Sequence, residues 1–389
     1  MRHRSHRIVH RATALIAAVA ALALAIPAAP AAALSPAACR VTNLRTGKVT
    51  TTLAPAVTAA RARDILTVRG TCTASLIIEK RIELRGVRPG NAGVPTLIGG
   101  AAGSVLWIGE AGNVRLRSLT ITGGTGTSQG DQRNGGGILV DGRVVLVGVH
   151  VTNNAVDGDG GGIFAFGGAV VIGGSSVIDQ NAAADGGGVA IGLGTLKVAG
   201  SARIADNVAT GLGGGILMGF GNLLVTGTAV VTGNTAGGRG GGIAIGGGST
   251  AIGGDARITQ NTANASLGAG GGISITSDAV VTIRERAEIT GNDAPNGSGA
   301  GISVAGTLSL TGEARVSGNQ AFGYGGGVWL ETAPGGSALL MTGSSTITMN
   351  VGGGLGRVIG TTYNDADCGT RIVNNVPANC QTFVIKVGG

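Results

Sequence analysis

Apolar and polar positions alternate along this chain in short bursts. From about residue 125 onward, pairs of aliphatic residues stand one position apart, as in Leu196 and Val198 and then Ala202 and Ile204. Alternation with period two puts both members of a pair on one face of a β-strand, and no helical period competes with it. The bursts recur in a fixed phase. A glycine triplet, varied to Gly-Ala-Gly in one unit, is followed by Ile138, Ile163, Val189, Ile216, Ile243, Ile273, Ile302, Val328 and Leu355, at steps of 25 to 30 residues. An asparagine closing a short strand keeps the same phase, at Asn154, Asn181, Asn207, Asn234, Asn261, Asn292, Asn319, Asn350 and Asn375.

Columns agree between units. Three positions before each asparagine stand Val151, Ile178, Ile204, Val231, Ile258, Ile289, Val316, Ile347 and Ile372, and five positions before it are mostly Ala or Ser. Two positions after the first aliphatic column come Val140, Ala165, Ile191, Met218, Ile245, Ile275, Val304 and Leu330. One unit of about 27 residues then supplies three short strands joined by tight bends, which is one coil of a β-helix. The pattern predicts an all-β chain, a right-handed parallel β-helix of about 12 coils, with coils roughly 4.8 Å apart and like residues buried on like. Glycine at the corners supplies positive φ. Asparagine also tolerates left-handed backbone, and its amide is suited to bond the same amide in the next coil.

The ends differ from the repeat. Residues 1–33 read as a signal peptide: Arg2, Arg4, Arg7 and Arg11, an apolar run from Ala12 to Ile26, and small residues up to Ala33. Residues 34–64 form an expected N-terminal cap, with an amphipathic helix over Leu53 to Arg63 that shields the first coil. Irregular leading coils are expected over 65–124, regular repeats over 125–375, and a final strand and cap over 376–389, where Phe383, Ile385 and Val387 alternate. Cys39, Cys72, Cys368 and Cys380 are an even set in an exported chain and favour disulfides, with three connectivities open. Their placement near the two ends suggests Cys39 with Cys72 and Cys368 with Cys380.

Composition narrows the classes of function. With 77 glycines and nine aromatic residues the composition is not that of an ordinary globular domain, yet 43% apolar residues support a long core. Removing the signal takes away four basic and no acidic residues, so the net charge falls from +8 to +4. That balance and the scatter of Lys and Arg argue against nucleic acid, and no later segment is apolar enough for a membrane span. His150 is the only histidine beyond the signal and reads as an exposed strand residue, too little for a histidine metal cluster.

The glycine-glycine-x-aliphatic start and the strand ending before asparagine resemble the repeats of the polymorphic outer-membrane-protein type, found in bacterial surface proteins of the pectin-lyase-like superfamily. The leading segment, with Cys39, Val41 and Thr42, Leu53, Arg63 and Asp64 before Ile65, and Gly70 with Cys72, is similar to the start of secreted bacterial β-helix repeat proteins. The resemblance implies a bacterial, secreted protein. The chain has Ile or Val where the family repeat often has Phe three positions before asparagine. Surface members usually continue into a membrane barrel; the sequence stops at Gly389 without one, so release or loose envelope association is expected.

Outward columns are where chemistry would lie, because β-helix enzymes acting on acidic polysaccharides gather carboxylates or a calcium ion at the scissile bond. Just before successive glycine triplets stand Asn134, Asp159 and Asp185, with Asp157 nearby. Adjacent coils bring Asp159 and Asp185 within about one strand spacing, where two carboxylates favour a shared calcium ion. The plainer reading is Asp favouring the turn before glycine, facing water. Tyr324, also beside a triplet, is a candidate for stacking on a sugar ring, against local packing. The expected function is non-catalytic adhesion or surface and carbohydrate binding by a monomeric rod, with polysaccharide or a cell-surface protein as partner and no required cofactor. The alternative is a polysaccharide lyase or glycoside hydrolase.

Overall fold

The computed structural model describes residues 38–88, 90, 93–100, 103–331, 337–352 and 372–373. The signal-like segment, Leu355, Cys368, Asn375, Cys380 and the strand expected after residue 376 lie outside the described residues. What is described is a parallel β-solenoid of about ten turns, slightly fewer than the dozen expected. One central coil shows the plan: Ile216–Val225 lies on a broad face, Val230–Thr232 on a second face and Thr235–Ala236 on a third. The next coil repeats each step in parallel, pairing Ile216 with Ile243, Val231 with Ile258 and Thr235 with Thr262.

The broad face changes along the stack. In the coil of Ile163 it is two strands, Ile163–Ala165 and Ala169–Gly173, separated by a bend. In the next four coils the two fuse into Val189–Val198, Ile216–Val225, Ile243–Ile252 and Ile273–Ile283. The centre of the rod therefore presents its longest continuous sheet.

Inside, the predicted columns are buried. Val151, Ile178, Ile204, Val231, Ile258, Ile289 and Val316 have no exposed surface, nor do Ala202, Ala229, Ala256, Ala287 and Ala314 in the small-residue column. Burying each Val or Ile side chain contributes about 1.5–3 kcal/mol, and stacking like on like makes that gain repeat with every coil. Where serine replaces alanine its hydroxyl is satisfied locally, as when Ser176 Oγ donates to the Gly173 carbonyl at 2.7 Å.

Glycine and asparagine play local roles that differ from those expected. The glycine triplets do more than supply positive φ: in Gly213–Gly215 only the first residue is left-handed, at φ 64°. A Cβ on Gly215 would stand 2.7 Å from the Gly242 carbonyl oxygen and 2.9 Å from Asn234 Nδ2, so the third glycine is required by close approach of the next coil. Nor are the ladder asparagines the left-handed residues. That conformation falls one position earlier, on Gln180, Asp206, Gly233 and Gln260 at φ 53°, 53°, 65° and 56°, and the asparagine itself points inward to bond the neighbouring coil.

The ladder is continuous from Asn154 to Asn350. Asn234 Nδ2 donates to Asn261 Oδ1 at 2.9 Å and to the Ile204 carbonyl at 3.0 Å, while its Oδ1 accepts from Asn207 Nδ2 at 2.9 Å and the Asn207 amide at 3.0 Å. Every link from Asn154 to Asn350 repeats this side-chain bond at 2.9–3.0 Å. The amides thus satisfy polar groups that the interior would otherwise leave dry.

At the base, a helix spans Leu53–Ala59 and buries Leu53, Ala56 and Val57. It is shorter than expected, because Ala60 leaves the helix with ψ 142° and Lys80 Nζ donates to the carbonyls of Val57, Thr58 and Ala60. Arg40–Asn43 adds a further cover by pairing antiparallel with Ile65–Arg69, which closes the first strand's free edge. Asp64 holds this cap together, accepting from Asn43 Nδ2 at 2.7 Å, Arg45 Nε at 2.6 Å and the Arg61 amide at 2.9 Å. The Arg45 guanidinium bonded to it holds its carboxyl below the ordinary carboxylate range. A disulfide joins Cys39 to Cys72, as expected, and ties the cap to the second face.

Candidate functional site

Asp159 and Asp185 meet as predicted. They form a parallel bridge on adjacent coils, one position before their glycine triplets. Burial, and then the neighbouring Asp185 charge, pushes the Asp159 carboxyl up from its ordinary value. The rest of the group is engaged with backbone. Asp157 Oδ1 accepts from the Arg133 amide at 2.8 Å, Asp185 Oδ1 accepts from the Leu212 amide, and Asn134 Oδ1 accepts from the Asp159 amide at 2.7 Å. These side chains therefore staple each coil to the next. Among the described residues no group of three or more His, Cys, Asp or Glu is arranged to hold a metal ion.

His150 is indeed a half-exposed strand residue, and its Nε2 lies 2.7 Å from Asp179 Oδ1 on the next coil. It lines a depression of about 490 Å³ with Arg88, Ser118, Thr120 and Ser175. Tyr324 stacks on Trp329 with ring centroids 5.3 Å apart and planes 17° apart, so one ring face is occupied internally while the side chain stays exposed. Beside this pair Glu331 accepts from Ser303 Oγ at 2.7 Å and pairs with Arg239 at 3.0 Å across several coils.

A second group was not singled out in the sequence. On the broad face Phe166, Leu193 and Phe220 are 59%, 46% and 51% exposed on three successive coils. Leu193 and Phe220 are register partners, and the Gly167 amide bonds the Leu193 carbonyl at 2.7 Å. Each ring lies along the stack over a glycine of the next coil: a methyl on Gly192 would stand 2.6 Å from the Phe166 ring, and one on Gly247 would stand 2.5 Å from the Phe220 ring. The outward column beside them is Thr195, Asn222 and Ser249. The available signal was modest: two of the five phenylalanines sit two coils apart near the same bend.

Fold and surface together define a parallel β-solenoid with an uncovered apolar row along its broad face. No helix among the described residues is long and apolar enough to cross a membrane. No protein-family model, no curated protein and no solved structure matches the chain.

Proposed function

We propose that this chain is an exported, non-catalytic binding protein that engages carbohydrate through the side of its solenoid, released or loosely held at a bacterial envelope. The observation that carries this reading is the exposed row of Phe166, Leu193 and Phe220, since large apolar groups left uncovered in line mark a surface that meets something else. The Cys39–Cys72 disulfide supports an oxidising destination. The glycine and asparagine repeat supports kinship with polymorphic outer-membrane-protein repeats of the pectin-lyase-like superfamily. Titration of the mature protein against a panel of neutral and acidic polysaccharides tests the reading. Saturable binding without product formation is expected, and absence of binding to every member overturns it.

A second reading has one observation in its favour. Asp159, pushed up beside Asp185, has the environment of a carboxyl that can act as an acid, so a lyase or hydrolase centred on Asp159 and Asp185 is the alternative. A calcium ion shared by these two residues and Asp157 belongs to that alternative. Product release abolished in Asp159→Ala, or heat on calorimetric titration with calcium, would favour it.

A further inference from the structure

We infer that the Phe166–Leu193–Phe220 row is a binding track for a neutral, extended polysaccharide whose chain runs parallel to the rod axis. This rests on the carbohydrate-binding reading above and assigns it a place and a ligand class.

Spacing supplies the first argument. Successive coils are about 4.8 Å apart, comparable with the length of one pyranose unit in an extended, equatorially linked chain. A chain lying along the axis then places one sugar per coil. Phe166 and Phe220 are two coils apart and therefore meet every second sugar. In a two-fold extended chain alternate sugars turn the same face to one side, so both rings meet equivalent C–H faces. Leu193 fills the coil between them.

Shape and charge supply the second. The Cδ2–Cε2 side of the Phe166 ring reaches over Gly192 and the Cδ1–Cε1 side of the Phe220 ring over Gly247, so the bare glycines leave these half-exposed rings room along the stack, and such rings can stack on a sugar. Thr195, Asn222 and Ser249 run beside them as neutral donors and acceptors for hydroxyl groups. From Val189 to Leu196, and through Ile216–Val225 and Ile243–Ile252, no residue is charged. Charge of both signs borders the row: Asp141 and Arg143 stand in the coil before Phe166's, Arg143 in register with Ala169 and so with the Thr195 column, Asp278 pairs with Gly247 from the coil above, and Lys197 lies to one side. A track with no charge of its own, bordered by charges of both signs, offers a polyuronate no matching run of cations and fits an uncharged polymer.

The test is calorimetric titration of the mature protein with cellohexaose, mannohexaose, chitohexaose and, as the charged probe, polygalacturonate. Binding to at least one neutral oligomer is expected, with Phe166→Ala and Phe220→Ala each weakening it at least about threefold and the double variant more than about tenfold. Phe220→Trp should retain binding, which separates loss of stacking from loss of fold. Leu267→Ala, at an exposed apolar residue outside the row, should leave it unchanged. If a neutral oligomer binds but the phenylalanine variants bind as well as wild type, the track is wrong while the carbohydrate reading stands. If nothing binds, both fail. Preference for polygalacturonate, or a dimer in sedimentation that Phe220→Ala dissolves, overturns the track and assigns the row to another occupant.

Discussion

Replacing Asn234 by alanine tests the ladder where it is most enclosed. Asn234 has no exposed surface. Its loss leaves the Asn207 backbone amide and one Asn207 Nδ2 hydrogen without the oxygen they share, at 3.0 and 2.9 Å, and removes a donor from the Ile204 carbonyl. Asn261 Oδ1 keeps a partner, since the residue-234 backbone amide still donates to it at 3.1 Å. Two buried donors thus lose their acceptor at about 1–3 kcal/mol each, so Asn234→Ala should destabilise by about 2–6 kcal/mol. Urea unfolding followed by circular dichroism gives the total. Hydrogen exchange at the amides of Asn207 and Asn261 shows whether the coils part at this point, as nearest-neighbour coupling requires. Asn234→Asp should also destabilise at neutral pH, because its second oxygen would face the Ile204 carbonyl and Asn261 Oδ1, both acceptors. A loss below about 0.5 kcal/mol for Asn234→Ala, the range of an ordinary surface change, would refute the view that the ladder bonds hold the coils.

Thr250 occupies the core column between Leu223 and Val281, and its buried hydroxyl has no partner among the described residues; Thr250→Val should therefore raise stability by about 1–2 kcal/mol, read as a higher urea midpoint. Asp159 has a raised carboxyl, so the native state holds its proton more tightly than the unfolded chain. The stabilisation is fully present below the ordinary carboxylate pKa of about 3.9 and is lost as pH rises through the native value. Asp159→Asn should accordingly raise the melting temperature at pH 7 and gain little at pH 3. Gln260 holds a left-handed backbone at φ 56° where Gly233 and Gly291 stand in neighbouring coils, so Gln260→Gly should stabilise by about 0.5–1 kcal/mol in thermal unfolding.

Much of the solenoid was legible in the chain because a coil is a local object. The period-two pairs, the glycine corners and the recurring asparagines each lie within about 27 residues, and their repetition reveals stacking. The roles of individual positions were less legible. Asparagine and glycine can serve either a left-handed bend or a close approach, and only the coil above shows that Gly215 is kept bare by Asn234 and the Gly242 carbonyl. Among candidate site residues, Asp159 and Asp185 were placed together by their common phase, but the amides of Arg133 and Leu212 that engage Asp157 and Asp185 were not visible in it.

The sequence by itself determined which side chains face the core, which asparagines stack and where one coil ends, because burying aliphatic residues allows one register and a slip by one residue would turn every core side chain outward. Only the tertiary structure decided what meets on the outside. Outward positions carry no such constraint, and coils of unequal length, with a register shift between Ile245 and Gly247, set which neighbours they find. The shift sets Asp278 opposite Gly247, whereas Phe166 over Gly192 and Phe220 over Gly247 continue the register of their strands, and stacking of the coils between them brings Arg239 to Glu331 from 92 residues away.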